Sequence, residues 1–334
     1  MDSLTHIVLG AAIGEALLGK QAGKKAMLWG AIAASAPDID AVLSFFVSDV
    51  DSLVLHRGIT HSLFLAMLIG PLWGWMVWKY HKCDRLRTWI LLITSNIMVH
   101  DLLDTCTVYG TGLLTPFIDY RFSFDNIFVA DPLYTIPLIV SFFALLILRR
   151  TDTSRKKWNA FGLITSSAYM ILTFVNHHKA VDALQITLNE KGIKSETHFA
   201  AATLFNTFLW NVVAKDSTGF WIGYYSVFDK DKKVELNYFP QNKHLLGDWS
   251  EKDDIRKLVI FTKGFYTVSE KDGSRWINDL RFGQVGGWEN TQGNFAFAFD
   301  LSEDADNTMV VQKGRIEGSK RVMLKSLLNR IEGK

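Results

Sequence analysis

Long apolar stretches fill the first half of the chain, and short charged segments separate them. Such stretches are typical of membrane-spanning helices, which need about 20 mostly apolar residues to cross the hydrocarbon core. The pattern predicts four clear spans, at 59–78, 88–103, 132–148 and 158–175. Two weaker segments, 4–18 and 26–36, are rich in Gly and Ala, which favours close helix packing. We expect these two to form a tight helical hairpin.

The second half reads as ordinary soluble protein from about residue 179. Segments 220–228, 257–268 and 294–301 are aromatic and β-branched, with turn residues between them, which indicates an antiparallel sheet. Segment 199–213 is apolar and is interpreted as an interfacial or core helix. The predicted fold is therefore an α-helical polytopic membrane domain with about four to six helices (1–178), followed by a smaller β-rich α+β soluble domain (179–334).

Composition excludes some classes of function. The net charge of the 334-residue chain is only +2, without the basic stripe of a nucleic-acid-binding protein. With two cysteines, Cys83 and Cys106, neither a thiolate zinc cage nor a disulfide framework can be built. The N-terminus lacks the pattern of a cleaved signal peptide, so we expect the first apolar segment to be retained.

Basic residues between the apolar segments predict the orientation. The loops 79–87 and 149–157 are strongly cationic, and Lys20, Lys24 and Lys25 lie at the turn of the first hairpin. The positive-inside rule places all three regions in the cytoplasm. The C-terminal domain is then expected on the opposite side, over the helix ends that carry the polar residues described next.

Polar clusters interrupt the apolar half. An ionisable side chain at membrane depth costs roughly 2.5 to 3.5 kcal/mol even on insertion scales, so its presence there indicates function. Imidazole and carboxylate groups are ligands for zinc and similar ions. Threading the helices through the basic loops brings seven candidate ligands to the non-cytoplasmic face: His6, Asp38, Asp40, His56, His61, His100 and Asp104.

Spacing supports some of these ligands more than others. His100 and Asp104 are four apart on a predicted helix and can bind one ion together. Asp38 and Asp40 would project to the same side of an extended segment, although one of them could cap the following helix. Which member of the Asp38/Asp40 pair and of the His56/His61 pair binds directly stays open.

Three further residues are candidate catalytic groups rather than ligands. Asp101 could carry a proton or support a ligand. Arg57 could bind an anionic substrate group, and Arg121 lies in a long loop, 105–131, that could form a wall of the site.

Four motifs follow one another along the chain and precede Gly110-Thr111-Gly112. They are Asp2-Ser3-Leu4-Thr5-His6, Pro37-Asp38-Ile39-Asp40, His56-Arg57-Gly58-Ile59-Thr60-His61 and His100-Asp101-Leu102-Leu103-Asp104. Over about 180 residues the chain resembles the membrane-bound metal-dependent hydrolases, which include LexA-regulated inner-membrane proteins. That family is distantly similar to the zinc-dependent phospholipase C and single-strand nuclease superfamily. The resemblance implies ligands among His6, Asp38 or Asp40, His61 or His56, His100 and Asp104. The later histidines of a trinuclear zinc cluster have no match here, so one or two ions are expected.

The expected function is an integral-membrane, metal-dependent hydrolase of phospholipase or phosphodiesterase type, with zinc as the expected ion. Its substrate would be a phosphoester or other bond in a lipid or membrane-associated molecule at the non-cytoplasmic face of the bacterial inner membrane. The expected partners are the bilayer and a lipid substrate, not nucleic acid, and the sequence does not predict an oligomeric state. The alternatives are a metal-binding membrane transporter and a sensor or scaffold with a structural metal.

Overall fold

A computed structural model describes residues 1–81, 85–271, 273–291, 293–301, 311–313 and 320–333. The chain forms two compact units. The N-terminal unit comprises Met1–Phe45 and Leu55–Thr173, and the C-terminal unit comprises Phe46–Val54 and Phe174–Lys334. Cys83 lies outside the described residues, and Cys106 is a buried free thiol.

All six apolar segments of the first half contain helix, as the sequence predicts. The helices are α1 (Ser3–Ala22), α2 (Lys24–Ser35), α3 (Asp40–Leu43), α4 (Asp49–Leu55), α5 (Leu63–His81), α6 (Leu86–Asp104), α7 (Pro132–Ile147) and α8 (Ser154–Lys191). Short 3₁₀ turns lie at Pro37–Ile39, Ser44–Phe46 and Ile59–His61. Pro37 lies two residues beyond the end of α2 and cannot donate a backbone hydrogen bond, which accounts for the break there.

Fewer helices than predicted have the length and composition of a membrane span. Among the described residues, α5 and α8 are long and apolar enough to cross a membrane. A third span is counted if α2 and Pro37–Phe46, which meet at a bend of 53°, form one broken span. Helix α7 is apolar but shorter. The predicted four to six spans are therefore not confirmed.

Helices α1 and α2 pack backbone against backbone through glycine. A Cβ atom added to Gly14 would lie 2.2 Å from the carbonyl oxygen of Ala26, and one added to Gly30 would lie 2.1 Å from that of Gly10. No side chain can enter such a contact without separating the two helices. The predicted tight hairpin is confirmed.

Replacing Gly14 by valine is expected to separate α1 from α2 and to lower the yield of folded protein. Overpacking of this kind typically costs about 1–3 kcal/mol, and here the obstructing atom is backbone that cannot rotate away. Thermal unfolding and size-exclusion profiles in detergent measure the effect. Ala16→Val, at an exposed position of the same helix, is the control. Equal stability of the two variants would contradict the close packing.

A buried ion pair ties α1 to the start of α8. The guanidinium of Arg155 donates to both carboxylate oxygens of Glu15, at 2.9 and 2.6 Å, and the two side chains are 5% and 8% exposed. Arg155 also donates to the carbonyl oxygens of Leu145 and Leu148 at 2.6 and 2.8 Å. Glu15 therefore has a structural partner.

Arg155→Ala is expected to destabilise the protein strongly, because it leaves the Glu15 carboxylate buried without its cation. Removing one member of a buried pair typically costs about 3–5 kcal/mol. The melting temperature in detergent reports the loss, and Lys156→Ala, at the exposed neighbouring position, provides the comparison. A melting temperature like that of the Lys156 variant would show that the pair contributes little.

The C-terminal unit contains two four-stranded antiparallel sheets in which consecutive strands are neighbours. The first is formed by β1 (Thr197–Ala202), β2 (Leu209–Lys215), β3 (Gly219–Ser226) and β4 (Asn237–Pro240). The second is formed by β5 (Tyr266–Lys271), β6 (Ser274–Gln284), β7 (Phe295–Asp300) and β8 (Val311–Lys313). The unit also contains helices α9 (Asp253–Phe261) and α10 (Lys320–Ile331). The β-rich second half is confirmed.

One local prediction in this half is wrong and one is partly wrong. Segment 199–213 is not a helix but the hairpin of β1 and β2, in which Ala200 pairs with Val212. The side-chain oxygen of Asn206 accepts hydrogen bonds from the backbone of Phe208 and Leu209, both at 2.8 Å, and closes the turn. Within 257–268 the first half belongs to α9 and only the end to β5.

Candidate metal centre

Four side chains from three chain segments meet inside the N-terminal unit. Asp38 comes from the 3₁₀ turn after α2, His61 from the turn before α5, and His100 and Asp104 from α6. One nitrogen or oxygen atom from each lies within 4.8 Å of the other three. We call this group the four-residue cluster.

The distances within the four-residue cluster suit a tetrahedral ion. The Nε2 atoms of His61 and His100 are 3.1 Å apart, and each lies 3.5 Å from Oδ1 of Asp38. Oδ2 of Asp104 lies 3.6 and 3.7 Å from the same two nitrogens. A zinc ion about 2.0–2.1 Å from four donors would space those donors by about 3.3 Å. The donor types and their spacing therefore fit one divalent ion.

Neighbouring groups fix both imidazole rings. Nδ1 of His100 lies 2.6 Å from the carbonyl oxygen of Ala34, which accepts its proton and leaves Nε2 free to face the cluster. Nδ1 of His61 lies 3.2 Å from Oδ2 of Asp40 and 3.0 Å from Oγ1 of Thr60. Metal-binding histidines commonly have such a partner on the second nitrogen. The sequence did not point to Ala34, since a backbone carbonyl leaves no signal, whereas Thr60 stood within the quoted motif.

Asp40 supports the cluster from outside. Its Oδ1 contacts Nδ1 of His56 at 3.0 Å, and its Oδ2 accepts from the backbone nitrogen of Arg57 at 3.0 Å and from Thr60 at 2.7 Å. The extended geometry expected for Asp38 and Asp40 is wrong, because this stretch is helical. Residues two apart on a helix point in different directions. Asp38 therefore faces the cluster and Asp40 holds its neighbours.

Arg57 positions Asp104. In its buried guanidinium, Nε lies 3.0 Å from Oδ2 of Asp104. Nη1 donates a hydrogen bond to Oγ1 of Thr107 at 2.6 Å. Arg57 has a φ of 62°, in the left-handed region, and its backbone bonds both Asp40 and, at 2.9 Å, Gly112. The structure thus gives Arg57 a structural role, and binding of an anionic substrate stays a prediction.

His6 and His56 border the cluster on different sides. The ring of His6 stacks on His100 with centroids 3.7 Å apart, and its Nε2 lies 3.1 Å from Oδ1 of Asp104. The side chain of His56 is 39% exposed; its Nδ1 contacts Asp40, and its ring packs edge-on against that of His61 with centroids 5.6 Å apart. Neither belongs to the four-residue cluster, and their roles as ligands stay predictions.

Asp101 and Arg121 have contrasting surroundings. Asp101 is fully buried, and neither carboxylate oxygen has a hydrogen-bond partner among the described residues. A buried charge without partners is costly, which marks Asp101 as a candidate for proton transfer. Arg121 donates to the carbonyl oxygen of His56 at 3.0 Å and helps to hold the long loop against the His56–Arg57 segment.

The cluster is closed on most sides, and nearby carboxylates favour a positive charge on His61. His61, His100 and Asp104 are completely or almost completely buried, whereas the side chain of Asp38 is 22% exposed. Burial alone would lower the pKa of His61, which precedes α5, but the carboxylates of Asp38 and Asp40 raise this pKa to about 9. The carboxylates therefore favour the protonated form of His61, and Asp38 is the partly accessible member of the cluster.

Apolar helices that enclose a histidine and aspartate cluster define an integral-membrane protein with a candidate metal centre. The sequence model of a family described as "YdjM inner membrane protein" matches residues 1–180. The chain belongs to this family, and the matched region contains every residue of the cluster. Family membership and the apolar helices together indicate the bacterial inner membrane.

Two curated proteins resemble the chain. "Inner membrane protein YbcI" of Escherichia coli (strain K12) is 34% identical over 122 residues, which is 36% of this chain and 69% of that protein. "Uncharacterized protein YfhP" of Bacillus subtilis (strain 168) is 32% identical over 128 residues, 35% of this chain and 38% of that protein. No solved structure matches. Neither name states an activity.

Proposed function

We propose that this protein is an integral-membrane hydrolase whose four-residue cluster binds one divalent ion, with zinc as the expected ion. The spacing of the four donors carries this proposal. Asp38, His61, His100 and Asp104 would hold the ion, while Asp40, Ala34 and Arg57 keep the ligands oriented. A second ion, placed by analogy with the resembling hydrolases, stays a prediction.

A divalent ion in this position would supply the two things that hydrolysis needs, a nucleophile at neutral pH and polarisation of a phosphoryl or acyl oxygen. Asp101 has both carboxylate oxygens uncommitted within the described residues and would accept a proton. Arg57 holds Asp104 in place by its ion pair at 3.0 Å. The chain thus offers ligands, orienting groups and a proton acceptor in one buried region.

A structural metal is the second candidate function. Structural zinc sites are closed by four protein ligands, whereas catalytic sites commonly keep a position open. The cluster has four donors, which favours closure, but one of them, Asp38, is partly exposed. A sensor or scaffold would use the ion without turnover.

A transport path receives less support. Such a path places ionisable groups through the depth of the membrane. Glu15, the main ionisable residue of the predicted helices outside the clusters, is paired with Arg155. It therefore has a structural explanation that does not require ion passage.

The test is to purify the protein in detergent, measure bound metals by mass spectrometry, and assay phospholipids, soluble phosphodiesters and amide-linked lipids. We expect about one ion per chain and hydrolysis of one substrate class. A chelator should abolish this hydrolysis and zinc should restore it. Stoichiometric metal without turnover of any class would contradict the hydrolase and favour a structural ion, and a metal-free protein that cannot be loaded would contradict both.

A further inference from the structure

An apolar groove of about 570 Å³ lies at the bend that follows α2. Its volume is within the range of about 300–1,000 Å³ that is typical of small-molecule sites. The lining residues come from α1, α2, the 3₁₀ turn and α5: Ile7, Ala31, Ile32, Ser35, Ala36, Asp38, Ile39 and Trp73. Asp38 is the single charged residue among them.

The walls of the groove do not require a polar ligand. The hydroxyl of Ser35 donates to the carbonyl oxygen of Ala31 at 2.9 Å and is therefore satisfied within α2. Ile32 and Ile39 are 41% and 65% exposed. In a protein of an inner-membrane family, lipid acyl chains are the apolar material available to cover such residues.

The polar end of the groove is part of the candidate metal centre. Oδ1 of Asp38 lies 3.5 Å from Nε2 of both His61 and His100. Asp38 is also the cluster side chain with the largest exposure. A molecule that fills the groove therefore ends at the face where the cluster is accessible.

We infer that the groove binds an acyl chain of an amphiphilic lipid whose polar end lies at the four-residue cluster. An apolar pocket with one convergent polar group matches an amphiphile better than a soluble polar molecule. The inference names the substrate class of the proposed hydrolase and rests on that proposal for the reaction, whereas binding of the chain can be tested without turnover.

The binding experiment uses the full chain in nanodiscs that contain a phospholipid with a photoreactive diazirine on its acyl chain. After illumination, mass spectrometry locates the labelled residues. We expect Ile32, Ile39 and Trp73 to be labelled at least about fivefold more than Leu28 and Leu72, which are both 57% exposed and lie outside the groove. Equal labelling of the two sets would overturn the inference, because it would show that the probe reports only contact with the surrounding bilayer.

Ile32→Trp fills the groove, and Leu28→Trp, one turn earlier on α2, is the matched control. We expect the Ile32 variant to lose the labelling of Ile39 and Trp73, while the Leu28 variant keeps it. Both positions are exposed, so neither change disturbs the buried packing. Unchanged labelling in the Ile32 variant would also contradict the groove.

Turnover separates this inference from the proposed function. If the protein hydrolyses phospholipids, Ile32→Trp should raise KM for a long-chain substrate about tenfold, since buried methylene groups contribute to its binding. A short-chain analogue and the metal content should be unaffected. If Ile32→Trp changes KM equally for both chain lengths, the groove inference is overturned and the hydrolase proposal is unaffected. Specific labelling without turnover would support the groove and contradict the hydrolase.

Discussion

His100→Ala is expected to abolish stoichiometric metal binding. The substitution removes one donor of the cluster, and with it the bond from Nδ1 to the Ala34 carbonyl oxygen at 2.6 Å. Loss of a supporting group alone typically weakens metal affinity about 10–100-fold, so loss of a direct ligand should exceed about 100-fold. Mass spectrometry of the purified protein and competition titration with zinc measure the change.

His56→Ala is the informative control for this experiment. The sequence made both histidines candidate ligands, but the structure places His56 outside the cluster with its side chain 39% exposed. The His56 variant should retain the ion with affinity reduced far less than in the His100 variant. His100→Gln keeps an amide donor for Ala34 and separates loss of the ligand from unfolding. An ion that persists in both His100 variants would falsify the ligand assignment.

Asp101→Asn is expected to stop turnover while leaving the ion in place. Asp101 is outside the four-residue cluster, and a general acid or base typically contributes about 10²–10⁴-fold to the rate. Asparagine has nearly the same shape but cannot accept a proton as a carboxylate does. Turnover of the substrate identified above, together with metal content, reports the effect.

Stability distinguishes a proton acceptor from a structural carboxylate. Both oxygens of Asp101 are buried without a hydrogen-bond partner among the described residues, so removing the charge should leave the melting temperature unchanged or higher. Asp119→Asn, at an exposed loop position, is the control. A marked loss of stability in the Asp101 variant, or undiminished turnover, would show that Asp101 does not carry the proton.

The sequence located the helices and the cluster because both depend on short-range rules. Apolar runs marked the helices of the first half, and the four-residue spacing placed His100 and Asp104 on one face of α6. Asp38 and His61 were among the candidate ligands because threading the helices through the basic loops brought them to one face, although which member of each pair binds was left open. These features can be recognised without knowledge of tertiary packing.

The separate roles of the site residues could not be predicted in the same way. Asp38 and Asp40 differ in role because the backbone after Pro37 is helical rather than extended, and this depends on how α2 ends against its neighbours. Arg57 carries the same sequence signal whether it binds a substrate or an internal carboxylate. Its distance of 3.0 Å from Asp104 and its hydrogen bond to Thr107 give it a structural role.

The hairpin of β1 and β2 shows the same limit in the C-terminal unit. Apolar residues 199–213 fit a helix by composition, but these strands complete their hydrogen bonds by pairing with neighbouring strands, β1 with β2 and β2 also with β3. The turn depends on the Asn206 side chain, which caps the following backbone at 2.8 Å. Pairing between strands is a long-range property, and apolar content alone does not reveal it.

The 53° bend after α2 would link coordination of the proposed ion to the thickness of the lipid bilayer. Asp38 lies just beyond the bend, whereas His61, His100 and Asp104 belong to other segments. A bilayer of different thickness changes the tilt or bend of an apolar segment at modest cost. For an ion held by all four groups, such a change displaces one ligand relative to three. The composition of the surrounding membrane therefore becomes a variable that acts on metal affinity.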